Sequence, residues 1–215
     1  TYSPLDPTLT ALGGWTFQTN FDRTGGRHWL WGANTKIDSE NFETNDFAIL
    51  NGADGWLSNA NIRYRETQPG RIFRAYSVQL DANTDTTLRR LVQAGYVRST
   101  LNLTWANFWT TSVALRRDLP QTSVSLTRGG PLMGRGPGAT AVVTLGNRAG
   151  SQTRWTAAST LSRNDDGFRQ RRISTLLSVR PGPRWQVSAE PYYEKLTEPQ
   201  QYVSTLAGGR AETYG

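Results

Sequence analysis

Cysteine is absent from the 215 residues, and histidine and methionine occur once each. Without cysteine there can be no disulfide framework and no thiolate metal site, an absence that fits a periplasm-facing protein. With His28 as the sole histidine, any Ser-His-Asp chemistry would have to run through it. Also missing is any stretch near the roughly 20 consecutive apolar residues of a transmembrane helix, so no such helix is expected. The opening TYSPLDPTLT has neither a basic start nor an apolar run, so no leader peptide is read at Thr1. The chain is therefore expected to be either a mature product or an internal piece. Helical periodicity is nearly absent as well.

Hydrophobic residues make up only 36% of the chain and the mean hydropathy is -0.56. Low hydropathy does not exclude a membrane β-barrel, because only alternate residues of each strand face lipid. Aromatic, β-branched and small polar residues are plentiful, and 21 glycines are present, a mix suited to strands and turns. The formal charge is +7, but the arginines are scattered singly or in pairs. No basic tail or helix face emerges, and no nucleic-acid partner is expected.

Period-2 alternation recurs along the chain. Trp56, Ser58, Ala60, Ile62 and Tyr64 oppose Leu57, Asn59, Asn61, Arg63 and Arg65. Trp29, Trp31, Ala33, Thr35 and Ile37 oppose His28, Leu30, Gly32, Asn34 and Lys36. Trp185, Val187, Ala189, Pro191 and Tyr193 oppose Arg184, Gln186, Ser188, Glu190 and Tyr192. Weaker versions run over 15–21, 109–115, 141–145, 155–161 and 173–179. Such alternation sends apolar side chains to one face and polar ones to the other. The segments run about 8–12 residues, near the length that lets a tilted strand cross a bilayer.

Turn chemistry separates them: Thr24-Gly25-Gly26, Gln68-Pro69-Gly70, Asn147-Arg148-Ala149-Gly150, Asn164-Asp165-Asp166-Gly167 and Arg180-Pro181-Gly182-Pro183. Two connections are long, Asp38 to Asp54 and Asp118 to Gly138, and are read as loops without regular structure. Between Val92 and Trp105 the apolar parity switches, which requires a bulge or a turn. Arg74 falls on the apolar parity of its strand, so it is expected near an interface.

The pattern predicts an all-β fold, an antiparallel up-and-down meander forming part of a transmembrane β-barrel of about ten or eleven strands, with 1–215 as one domain. Trp15, Trp29, Trp31, Trp56, Trp109, Trp155, Trp185 and Tyr193 lie on the apolar parity, mostly towards strand ends, as interfacial girdles do. On the polar parity, Arg63, Arg65, Arg98, Arg154, Arg172 and Arg184, with Arg128 of the Gly-rich loop, are candidate lumen or loop residues. Lining an interior, they would favour anions; gathered at one rim, they would meet lipid phosphates.

Other chemistry has a plainer account. The run Gly129 to Gly138 lacks the Gly-Lys-Ser/Thr ending of a phosphate loop. The sets 81–85 and 164–167 offer oxygen ligands but not EF-hand spacing, and read as turns. Glu190 and Glu194 read as wall ion-network members and His28 as a polar or interfacial residue. No catalytic residue, metal or cofactor is expected.

The stretches Leu103-Thr104-Trp105-Ala106-Asn107-Phe108-Trp109 and Thr127-Arg128-Gly129-Gly130-Pro131, with Asn41-Phe42-Glu43-Thr44-Asn45-Asp46-Phe47 and the closing Glu212-Thr213-Tyr214-Gly215, resemble the barrel region of the DUF5916 family. The resemblance implies an outer-membrane-type barrel preceded by a domain like family 9 carbohydrate-binding modules. That domain has no counterpart in these residues, so sugar binding is not carried over, and the chain is expected to be a fragment of a larger barrel. The resulting expectation is a non-enzymatic outer-membrane protein of a Gram-negative-type bacterium, acting as a pore, a transport component or an anchor. Its expected partners are outer-membrane lipid, a small solute or carbohydrate, and other membrane or periplasmic subunits. The competing expectation is a soluble β-sandwich that stacks its tryptophans on sugars.

Overall fold

A computed structural model of the chain describes residues 13–39, 42, 55–123 and 132–200. Every regular element among them is a strand: β1 (Thr16–Arg23), β2 (Trp29–Asp38), β3 (Gly55–Glu66), β4 (Phe73–Thr86), β5 (Val92–Trp105), β6 (Thr110–Asp118), β7 (Gln121–Ser123), β8 (Met133–Arg135), β9 (Gly138–Gly146), β10 (Thr153–Asn164), β11 (Arg169–Gly182), β12 (Trp185–Ala189) and β13 (Tyr192–Thr197). Eleven of them form one sheet in the order β1-β2-β3-β4-β5-β6-β9-β10-β11-β12, with β13 also on β11. Every pairing is antiparallel. The all-β meander is thus as expected. Among the described residues the two edges, β1 and β12/β13, do not pair with each other, so no closed barrel is formed by them.

Three strands are interrupted by proline while keeping their register, β12–β13, β6–β7 and β8–β9. β12 and β13 meet β11 in one register, with Leu177 opposite Ala189 and Ser174 opposite Tyr192. Pro191 between them has no N–H to give the ladder, although its carbonyl still accepts from Thr175. β7 and β8 likewise pair in the register of β6 and β9, beyond breaks at Pro120 and Pro137. The Asp118 to Gly138 connection is therefore not the unstructured loop its glycines suggested. It begins and ends as an extension of the β6–β9 hairpin.

Three irregularities adjust the parity. Phe73 faces Trp105 and Ala75 faces Thr104, which leaves Arg74 as the extra residue of a bulge at the start of β4. Thr86 faces Val92 and Asp85 faces Ala94, so the parity switch seen in sequence is a bulge at Gln93, with no turn. Tyr96 consequently points to the polar face. A third irregularity lies between Val179 and Gly182, where β11 runs on through the expected turn 180–183 to a tight one at Pro183–Arg184. Asp81 to Asp85, expected as a turn, lies inside β4.

Directly opposed residues share a face. Following the registers across the sheet, Phe17, Ile37 and Trp56 fall on one face. So do Ile62 and Leu80, then Leu101 and Val113, then Val143, Ile173 and Tyr193. Asn, Gln, Ser, Thr, Asp and Arg dominate the other face. No apolar residue among the described ones is buried, so the sheet has no core of its own. Its order rests on backbone ladders and on contacts within each face.

The connections sort by rim. At one rim β1–β2, β3–β4, β5–β6, β9–β10 and β11–β12 are joined by two to six residues. At the other lie 39–54 and 119–137 together with the tight turns 87–91 and 165–168.

Candidate functional site: the two faces of the sheet

The polar face is hydrogen-bonded from strand to strand. Asn83 donates to Asn59 at 2.5 Å and Asn59 to Asn34 at 2.8 Å, an amide ladder over β4, β3 and β2. Two same-face pairs along, beyond Asn61 and Asp81, Arg63 donates to Gln79 at 2.6 Å, and Gln79 donates to Asp81 at 2.5 Å. Asp81 also accepts from Arg98 Nε at 3.3 Å. Arg98 stands opposite Arg116, whose guanidinium lies 3.9 Å from the Tyr96 ring centroid and bonds Asp118 at 2.6 Å. Gln170 donates to Glu194 at 2.6 Å, and Arg172 covers the Tyr192 ring at 4.5 Å. Gly32 makes room within this face, because a Cβ there would collide with the Asp22 carboxylate.

Arg63, Arg65, Arg98, Arg154 and Arg172 all stand on this face, as their parity predicted. They do not converge: Arg63 and Arg98 share one network, while Arg65 reaches the Gly26 carbonyl at 3.1 Å near the short-turn rim. Arg184 sits in the β11–β12 turn, off the body of the face. Arg128 lies outside the described residues, as does most of Asn41 to Phe47. Arg116, not singled out from sequence, is the member that joins Arg98 in one cross-strand row.

A hollow of 400 Å³ opens beside that row, where the β7–β8 hairpin meets the β10–β11 turn. Arg116, Asp118, Gln121, Asn164 and Gln170 line it. Gly136 N–H donates to both carboxylate oxygens of Asp166, at 3.0 and 2.9 Å, and ties hairpin to turn. Among the described residues no cluster of three or more His, Asp or Glu gathers that could hold a metal. His28 stacks on Tyr64 with centroids 5.4 Å apart, its Nδ1 3.0 Å from the Arg65 carbonyl and 3.6 Å from Glu66. These contacts anchor the ring at the rim.

The apolar face carries the aromatic residues. Trp29, Trp31, Trp56, Trp155, Trp185 and Tyr193 project from it within strands, and Trp15 and Trp109 flank β1 and β6 in register. At the short-turn rim the rings touch in sequence. Trp29 meets Tyr64 at 5.1 Å, Tyr64 meets Tyr76 at 6.1 Å, and Phe73 meets Trp105 at 4.9 Å. Beyond the β5–β6 turn Trp109 meets Trp155 at 5.2 Å. Tyr64, Tyr76, Phe73 and Trp105 complete this belt; Tyr64, Tyr76 and Trp105 fall on the apolar parity without having been named as girdle residues, and the Arg74 bulge hides the in-face position of Phe73.

These features define a class: a wide antiparallel meander with a hydrogen-bonded polar face, an exposed apolar face and an aromatic belt at one rim. The family follows from comparison. The sequence model of a family described as a domain of unknown function, DUF5916, matches residues 2–123. That is more than half of the chain, and the chain belongs to this family. No curated protein and no solved structure matches it.

Proposed function

We propose that the chain forms wall of an outer-membrane β-barrel, non-enzymatic, which passes or binds a solute or anchors periplasmic protein to the membrane. The observation that carries this reading is an inversion of burial. In β4 the apolar Val78, Leu80 and Ala82 are exposed, while Gln79, Asp81 and Asn83 between them are partly covered. Around the β10–β11 turn Leu161, Arg171 and Ile173 are exposed, whereas Ser162, Gln170 and Arg172 are less so. A sheet in water does the reverse, burying its apolar face against a second layer.

Supporting features point the same way. Leu80 is 48% exposed, Ile173 60% and Phe21 65%, so large apolar side chains stand open on this face from β1 to β11. Lipid would cover it. The polar side chains, hydrogen-bonded to one another, suit a wet or plugged lumen. Both long connections, 39–54 and 119–137, lie at one rim, as extracellular loops do, and no connection at the other exceeds six residues. The sandwich alternative needs a second sheet over the tryptophans. The other sheet among the described residues, β7–β8, only prolongs β6 and β9.

Fractionation of the protein expressed with its natural termini tests this. Recovery with outer membranes, dependence on detergent and a mobility shift in SDS after boiling are expected. A monodisperse protein that stays in solution without detergent would refute the membrane reading and make the tryptophan face a sugar-binding candidate.

A further inference from the structure

At the long-connection rim, the face that is apolar elsewhere turns basic. Arg117, Arg163 and Arg169 fall in one cross-strand row through Ala139. In the adjacent row, Arg171 lies between Leu161 and Lys195. All five cations are exposed, and none meets a carboxylate among the described residues. Both acidic residues within these strands, Asp118 and Glu194, point to the opposite face, where they are engaged by Arg116 and Gln170. Charge is thus segregated through the thickness of the sheet, acids inward and these cations outward.

Directly below the cations the face is apolar, with Leu115, Leu161, Ile173 and Tyr193. A hollow of 560 Å³ runs beneath Arg163, Arg169 and Arg171 over the small side chains of Ala139 and Ala141. From Arg163 down β10 to Trp155 in the aromatic belt is eight residues, about 26 Å along the strand. Tilted by about 35–45°, that span projects to roughly 18–21 Å along the membrane normal, a little under the roughly 25 Å apolar band of membrane barrels.

We propose that this basic patch over an apolar hollow binds the phosphate-bearing headgroup of a membrane lipid, its acyl chains lying on the Ala139–Ala141 floor. Arginine pairs with phosphate bidentately, and outward placement without internal acids leaves the five cations available to it. The proposal rests on the membrane-wall reading above. It commits to a lipid rather than a free anion because cations and apolar floor adjoin on one face.

The test uses the protein with its natural termini, refolded into phosphatidylcholine vesicles with or without diphosphorylated lipid A. Lipid retained after gentle detergent extraction is counted by native mass spectrometry, and the heat shift in SDS reports the fold. Each cation near an anionic surface is worth about fivefold, so the triple variant Arg163→Gln, Arg169→Gln, Arg171→Gln should lose retention on the order of a hundredfold. The corresponding triple lysine variant keeps the charge but not the bidentate fork and should fall between the glutamine variant and the parent, and Arg171→Gln alone serves if the triple variant does not fold. Unchanged retention in a heat-shifted glutamine variant would overturn the inference while leaving the membrane reading intact. Full displacement by inorganic phosphate would overturn the lipid assignment. Absence of a heat shift in the parent protein would remove the inference together with the reading beneath it.

Discussion

Asp81 on β4 stands directly opposite Arg98 on β5 and accepts its Nε hydrogen bond at 3.3 Å, while its other oxygen accepts from Gln79. One carboxylate thereby balances the Arg63 and Arg98 ends of the polar-face network. Asp81→Asn keeps the shape and removes the charge. If the polar face lines a conduction path, the variant should shift the reversal potential in planar bilayers toward anion preference, because Arg63, Arg98 and Arg116 then dominate the local field. An unchanged potential with normal conductance would place this row off the path.

The inverted burial makes a prediction that separates lipid from water. Leu80→Arg, mid-strand on the apolar face between Ile62 and Ser99, should cost about 2–4 kcal/mol of folding free energy in vesicles. Asn102→Arg, on the polar face, should stay within about 0.5 kcal/mol, as substitutions on a wet surface do. Urea titration in lipid reads both. Equal, small effects would fit a sheet whose two faces both meet water.

At the short-turn rim, Phe108 has φ of 68°, a left-handed conformation unusual for an aromatic residue. Its ring holds the guanidinium of Arg74 at 4.1 Å and that of Arg148 at 4.9 Å. Two cation–π contacts, each worth about 0.5–1 kcal/mol at an exposed site, offset the backbone strain. Phe108→Ala loses the contacts and keeps most of the strain, so it should lower stability by about 1–2 kcal/mol. Phe108→Gly loses the contacts but relieves roughly 1 kcal/mol of left-handed strain, and should fall between Phe108→Ala and the parent. The order of the three unfolding midpoints checks this; Gly at or below Ala would disprove the strain.

How much of this was legible in the chain depends on what sets each feature. The face of Trp29, Trp56, Ile62 or Val187 follows from period 2 alone, because a strand's side chains alternate whatever its neighbours do. Tyr96 and Phe73 could not be placed that way, since one-residue bulges at Gln93 and Arg74 reset the parity and are backbone events decided by pairing. Arg74 itself was legible as an anomaly, and the bulge accounts for it. The continuity of β12 and β13 was legible, since Trp185 to Tyr193 reads as one alternating run through Pro191, whereas the joining of β7 to β6 was hidden by Pro120, which reads as an end but only interrupts a shared register. Arg163 and Arg171 carried a signal that went unused: they continue the odd parity of Leu161 and Ile173, and so share the face of those residues. Which side chains share a row depends on register, which no single strand encodes. Arg98 and Arg116, 18 positions apart, meet only through it.

The tie between hairpin and turn makes the last prediction. Asp166 accepts two hydrogen bonds from the single Gly136 N–H and one from Asn164 Nδ2 at 3.3 Å, while Gly136 leaves no room for a side chain at 2.9 Å from the same carboxylate. A hydrogen bond to a charged acceptor contributes about 1.5–3 kcal/mol, and here it fastens an extension of the sheet rather than its body. Asp166→Ala should therefore release the β7–β8 hairpin while β6, β9 and β10 keep their ladder. Trypsin cleavage after Arg135 in the folded protein should accelerate by at least about tenfold, since local opening free energy falls by more than 1.4 kcal/mol. The heat shift and the urea midpoint should stay near the parent values. Asp166→Asn retains one oxygen acceptor and should accelerate cleavage less. If cleavage and global unfolding rise together instead, the hairpin is integral to the sheet and its pairing beyond Pro120 and Pro137 contributes to the whole.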